Sequence, residues 1–171
     1  VETIMNISEV QWIIKVHPGE FKRKTIYGIQ RILSDHFGSL PDDLHIIPPD
    51  MEISTFDVFN LVDGGVFYIG NTVSLELAMM GKSVIRAGEN VSYKRGFTHD
   101  AYTREYYLKL LKRTPTLQPL DKKKTVMARR LAYEYFIKTQ IPLHTMNISG
   151  KYWHSFNWKN VDKLFPGGDP F

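Results

Sequence analysis

The sequence predicts an α/β fold: a parallel sheet flanked by helices, followed by further helices toward the C-terminus. Short runs rich in β-branched residues alternate with stretches of helical period. The segments between those runs are long enough for right-handed parallel crossovers. Gly, Pro and polar residues collect after every strand-like run, as they do where strands hand over to helices.

Val10 to Val16 (VQWIIKV) has the composition of a strand and is stopped by His17-Pro18-Gly19. Phe21 to Phe37 carries apolar residues at Ile26, Ile29, Leu33 and Phe37, the stripe of one helix. Leu44 to Ile47 is a second strand, ended by Pro48-Pro49. Ser54 can cap a helix whose first turn holds Asp57, and that helix should run to about Asp63, stopped by Gly64-Gly65. Val66 to Ile69 reads as a third strand, and Gly70-Asn71-Thr72 leads into an apolar helix from Val73 to Met80, which Gly81 ends. Ser83 to Ala87 is a fourth strand, followed by a loop from Gly88 to about Asp100. Ala101 to Arg113 is helical, Pro115 and Pro119 interrupt, and Asp121 can cap a basic helix reaching about Gln140. From Ile141 on the chain is aromatic and irregular.

The 171 residues are expected to form a single domain, with residues 1–100 as an α/β core and 101–171 as a helical and aromatic extension. Hydrophobic residues at 43% and charged residues at 23% argue against disorder. No apolar run reaches the roughly 18–20 residues of a membrane span. With no Cys, the chain has no disulfide, thiol nucleophile or Cys-ligated zinc, and it suits a reducing compartment. Val1 stands where a start Met would, so a piece of a longer protein is expected. The net charge of +4 is modest, and its excess gathers in Lys122, Lys123, Lys124, Arg129 and Arg130, with Lys109, Lys112 and Arg113 just before. The plain reading of that cluster is a solvated helix face; the sharper one is attraction to anionic lipid head groups or a polyanionic product. Nucleic acid is not an expected partner, since no recognition motif for it is present.

In an open parallel sheet, ligands bind outside the carboxyl ends of the strands. Those ends deliver His17, Pro18, Gly19 and Glu20; Pro48, Pro49 and Asp50; Gly70, Asn71 and Thr72; and Gly88, Glu89 and Asn90. A helix opening after Gly70-Asn71-Thr72 offers free backbone N–H groups to a phosphate. Glu76 lies four residues after Thr72 in an otherwise apolar helix, where a carboxylate needs a partner: a basic side chain, or paired ribose hydroxyls. His17 is either a structural hydrogen-bonder or a phosphate contact. No His spacing suits a metal, and neither a Walker A loop, a Gly-x-Ser-x-Gly elbow nor a Gly-x-Gly-x-x-Gly turn is present.

Taken together, Val16-His17-Pro18-Gly19-Glu20, Gly70-Asn71-Thr72-Val73-Ser74-Leu75-Glu76, Met80-Gly81-Lys82-Ser83-Val84-Ile85 and Tyr93-Lys94-Arg95-Gly96-Phe97-Thr98-His99-Asp100 resemble the donor-binding half of GT-B glycosyltransferases, nearest to the capsule polysaccharide biosynthesis family. The resemblance runs from about Val10 to Tyr106. It implies a Rossmann-like domain, one half of a GT-B fold, that binds a CMP- or UDP-linked sugar as substrate with no bound metal or other cofactor. It places His17 and Thr72 at the donor phosphate, with His17 the candidate for stabilising the leaving group. Glu76 falls at the ribose and Pro48 and Pro49 at the base, with Pro18, Gly19, Gly70, Asn71 and Gly88 completing the binding set.

The acceptor, a polysaccharide or a lipid-linked glycan, would meet this half across a cleft formed with an N-terminal domain outside this sequence. The catalytic base would lie there, so the isolated chain is not expected to turn over. The aromatic tail, Tyr152-Trp153-His154 and Phe156-Asn157-Trp158, covers either this domain's own sheet or that partner domain. The expected location is cytoplasmic, with peripheral contact at the inner face of the membrane. Alternatives in other classes are a CDP-polyol phosphotransferase-like domain and a nucleotide-binding or interaction domain without turnover.

Overall fold

In the computed structural model of the chain, Trp12–Lys15 forms strand β1, preceded by a single helical turn, α1 (Glu2–Met5). The structure describes residues 1–68 and 72–140, together with the backbone of two short strands, β6 (Met146–Asn147) and β7 (Ser155–Phe156). Residues Val1–Tyr133 make one compact unit and Glu134–Phe171 a second.

The first unit is α/β with parallel strands, as the sequence predicts. β1 pairs with β2 (Leu44–Ile47) in parallel, Trp12 opposite Leu44 and Lys15 opposite Ile47. A second ladder runs β3 (Gly64–Phe67), β4 (Ser83–Arg86), β5 (His99–Asp100), all parallel, with Phe67 opposite Arg86 and Arg86 opposite Asp100. The four expected strands therefore fall into two ladders, and none joins β1 or β2 to β3 among the described residues. β5 adds a strand inside the expected loop after β4. Two residues carry no readable period, and only the pairing with β4 makes them a strand.

Between β1 and β2 the expected single helix is two. α2 (Gly19–Lys22) is closed by a Schellman turn: Lys24 N–H donates to Phe21 O (3.1 Å) and Thr25 N–H to Glu20 O (2.9 Å), with Lys24 in the left-handed region at φ 51°. α3 (Ile29–Phe37) restarts after Gly28, and the Glu20 carboxylate accepts from its first N–H, Ile29, at 3.0 Å. An acidic group at that end also complements the helix dipole. Leu33 of the stripe is buried, whereas Ile26 lies outside α3 and is exposed.

α4 (Thr55–Leu61) begins as expected, with Phe56 N–H donating to the Ser54 hydroxyl at 3.2 Å. It ends two residues early, because Val62 is already extended and Lys82 Nζ caps the terminal carbonyls of Phe59 (2.6 Å) and Val62. Gly64 and Gly65 are not the stop; they open β3. A Cβ on Gly65 would lie 2.6 Å from Leu77 Cδ2, and one on Gly64 2.8 Å from the Ser83 carbonyl oxygen. Only glycine lets helix and neighbouring strand come so close.

α5 (Val73–Met79) buries Ser74, Leu75, Leu77 and Ala78, and packs on β3 and β4 on one side and on α7 (Lys122–Tyr133) on the other. Gly81, at φ 81°, ends it as expected. Ala128 and Ala132 give α7 a flat face for close approach, and Arg129 Nε donates to the Met79 carbonyl at 3.0 Å. α6 (Arg104–Lys112) starts at a Thr103 cap and buries Leu110 and Leu111; Ile85, Ala101 and Leu110 form a core with Val66, Tyr107 and Leu117 around it. α7 starts where Asp121 accepts from Lys124 N–H (2.8 Å). It ends at Tyr133 rather than near Gln140.

In the second unit, Glu134–Lys138 is a π-helical turn, marked by Thr139 N–H donating five residues back to Glu134 O at 3.0 Å. β6 and β7 pair antiparallel. The expected aromatic covering by Tyr152, Trp153, His154, Asn157 and Trp158, and by the side chain of Phe156, lies outside the described residues. Among the described residues no helix is long and apolar enough to cross a membrane.

The glycine contact gives a direct test. Gly65→Ala forces its new methyl into Leu77, and the expected cost is about 1–3 kcal/mol, read as a lower midpoint in urea unfolding.

Candidate functional site

Backbone pairing of β1 with β2 continues one residue past the strand, Val16 N–H donating to Ile47 O at 3.0 Å, and buried Val16 anchors the turn that carries His17. His17 itself is exposed. Its Nδ1 accepts from the Gly19 N–H at 2.9 Å, so the neutral ring carries its proton on Nε2 and keeps that N–H free to donate. Gly19 is needed there, since a Cβ would fall 2.7 Å from His17 Nδ1. Pro18 sits at the N-cap of α2. Pro48 and Pro49 follow β2, half-buried in a turn closed by Met51 N–H to Pro48 O (3.3 Å). The register of Lys15 with Ile47 puts His17 and the proline pair at the same strand edge.

The remaining predicted residues belong to the other ladder. Thr72 is the N-cap of α5, but its hydroxyl makes no cap bond; its carbonyl accepts from Leu75 N–H (2.9 Å) and Glu76 N–H (3.0 Å). Glu76 is half-buried in the first turn of α5, and no Lys, Arg or His pairs with it among the described residues. Gly70 and Asn71 lie outside the described residues. No hydrogen bond joins His17, Pro48 or Pro49 to Thr72, Glu76 or Gly88 among the described residues.

The Gly88 carbonyl accepts from Arg86 Nη2. Arg86 is the residue that sequence reasoning missed. It ends β4, which is buried at all four positions, and is only 1% exposed. Its Nη1 donates to Ser92 Oγ (2.7 Å), which donates to Asn90 Oδ1 (2.7 Å), and Asn90 Nδ2 donates to Ser74 Oγ in α5 (2.9 Å). Among the described residues the Arg86 Nε has no hydrogen-bond partner. Opposite Arg86 on β5, buried Asp100 accepts from Thr98 Oγ1 and from Lys94 N–H, each at 2.8 Å. Burial pulls the Arg86 pKa down, and the negative charge of Asp100 offsets only part of this. The Tyr93 ring lies 6.0 Å from the guanidinium carbon. A charged residue inside an apolar strand was the available signal, the same one that singled out Glu76. Among the described residues no group of three His, Asp or Glu is placed to hold a metal ion.

Comparison with protein-family models, with curated proteins and with solved structures finds no match to this chain.

Two outcomes follow from these electrostatics. Arg86→Met leaves the Ser92 hydroxyl and the Gly88 carbonyl without their buried donor and is expected to lower stability by about 1–3 kcal/mol in urea unfolding. His99 is the second case. Burial, then Lys124 and Arg113, draw its pKa below the ordinary 6.5, and Asp100 offsets only part of this. The unfolded chain then takes up the proton more readily. The stabilisation is complete above the ordinary value and is lost as pH falls through the lowered one. Unfolding midpoints are expected to drop between about pH 7 and pH 5, and to drop less in His99→Gln.

Proposed function

We propose that this chain is the donor-binding half of a GT-B-type glycosyltransferase, one that moves a sugar from a nucleotide-activated donor to a growing surface or capsular polysaccharide. The observation that carries this reading is Glu76: a half-buried carboxylate one helical turn after Thr72, with no charged partner among the described residues. Such a group loses hydration without compensation unless a ligand donates to it, and the vicinal hydroxyls of a ribose are suited to do so. Two further features support the same reading. The parallel α/β architecture presents its strand ends as a ligand edge, and His17 is held by Gly19 in the tautomer that donates from Nε2.

In this reading His17 Nε2–H donates to a donor phosphate oxygen and stabilises the charge that builds there as the sugar departs. Thr72 contributes a hydroxyl to the phosphates, Glu76 accepts from the ribose, and Pro48-Pro49 lie against the base. One ligand would have to span both ladders, so substitutions on either should weaken the same binding event. The acceptor and the group that activates its hydroxyl belong to a second domain.

Calorimetric titration of the chain with CMP-, UDP- and CDP-linked sugars and polyols tests this directly. Binding is expected for at least one of them. Glu76→Ala and His17→Ala are each expected to weaken it about tenfold or more, with the Glu76→Ala unfolding midpoint no lower than that of the parent chain. A folded chain that binds none of these ligands at millimolar concentration sinks the reading.

A further inference from the structure

Immediately after the His17 turn, seven consecutive residues, 21 to 27, are all exposed. Their sequence, Phe21-Lys22-Arg23-Lys24-Thr25-Ile26-Tyr27, alternates large apolar side chains with three successive cations. Ile26 is 88% exposed, Phe21 62% and Tyr27 51%. This segment has a defined shape: the Schellman turn at Lys24 closes it at one end, and Tyr27 is tied to α3 by donating to Asp35 Oδ2 (2.5 Å), with Arg31 5.1 Å over its ring.

The nearby acids are already engaged. Glu20 accepts from Ile29 N–H, and Asp35 holds Tyr27 and Arg31. Lys22, Arg23 and Lys24 form no ion pair among the described residues. The surface is therefore apolar and cationic at once.

We infer that residues 21–27 are a docking surface for an anionic lipid bilayer. Apolar side chains held outward by an ordered turn can enter the headgroup and acyl boundary while flanking Lys and Arg stay at the phosphate level. The cores of protein–protein interfaces, by contrast, are depleted in lysine. The cations match an anionic leaflet in sign, and each basic residue near such a surface strengthens binding about fivefold. This surface is separate from the basic face of α7, to which charge counting alone would assign lipid contact.

Sedimentation of the 171-residue chain with large vesicles tests the inference, comparing pure phosphatidylcholine with phosphatidylcholine containing roughly 30 mol% phosphatidylglycerol. Binding is expected to the anionic vesicles only. The pair Phe21→Ser with Ile26→Ser should reduce the partition coefficient at least tenfold. The set Lys22→Gln, Arg23→Gln and Lys24→Gln should reduce it about a hundredfold. Lys122→Gln with Lys123→Gln and Lys124→Gln should leave it nearly unchanged. All the substituted side chains in 21–27 are exposed, so thermal melting should not move. Four results would overturn the proposal: no vesicle binding, equal binding to neutral vesicles, loss only in the α7 set, or self-association of the chain that Ile26→Ser abolishes. Nucleotide titration is an independent readout, so failure here leaves the donor-binding reading standing, and the reverse.

Discussion

A guanidinium buried at the end of β4 dictates much of what surrounds it. Removing an Arg from water costs several kcal/mol unless hydrogen bonds and a counter-charge replace its hydration. For Arg86 those groups all come from the segment that follows it: the Gly88 carbonyl, the Ser92 hydroxyl and the carboxylate of Asp100 on the paired strand. The segment from Gly88 to Asp100 consequently turns Ser92 and Asp100 inward and leaves Glu89, Lys94 and Arg95 exposed. Lys94 at φ 57° and Gly96 at φ 83° are the positive-φ positions that let the chain double back, with Lys94 N–H meeting Asp100. A stretch with the composition of a surface loop is thereby fixed to the sheet. Through Asn90 the same network reaches Ser74 in the first turn of α5, where Glu76 also lies.

The second constraint is closeness. Helix α5 lies between the β3–β4 ladder and α7, and its two contacts are set by residues that have almost no side chain: Gly65 on the strand side, Ala128 and Ala132 on the helix side. With those positions small, Leu75 and Leu77 are completely buried, and Ser74 and Glu76 are held on a helix that cannot slide without collision. The polar groups of the candidate site thus depend on apolar packing behind them. Arg129 bonding to the Met79 carbonyl ties down the far end of the same helix.

What was legible in the sequence follows the same division. Local signals succeeded: the β-branched run at Leu44–Ile47, the Ser54 and Asp121 caps, and the glycine that ends α5 at residue 81 each express chemistry contained within a few neighbours. The α/β class followed from their alternation. Features set by distant partners did not show. Gly64-Gly65 has the sequence of a helix stop and is instead a strand shaped by Leu77 and Ser83. The break between α2 and α3 depends on Glu20 reaching Ile29, nine residues on. Among the candidate residues, His17 and the half-buried Glu76 stood out because each sits oddly in its local context. Arg86 carries the same oddity, but an Arg closing a strand looks like an ordinary exit to solvent until Ser92 and Asp100 are seen around it.

Glu20 connects the two surfaces that give this chain its functional interest. Its backbone N–H donates to the His17 carbonyl (2.9 Å), its own carbonyl accepts from Thr25 (2.9 Å), and its carboxylate caps α3. Gly28 makes the last contact feasible, because a Cβ there would lie 2.7 Å from Glu20 Oε2. One residue therefore holds the turn that orients the imidazole and the turn that exposes Phe21 and Ile26. Had the apolar segment been joined to His17 by a slack linker, contact at one would say nothing about position at the other. Because backbone hydrogen bonds run without a gap from His17 to Thr25, a surface bound at residues 21–27 is tied to the turn that carries the imidazole. On the proposed reading, with a donor phosphate at His17 and a bilayer at residues 21–27, such a join would fix the donor close to the membrane plane.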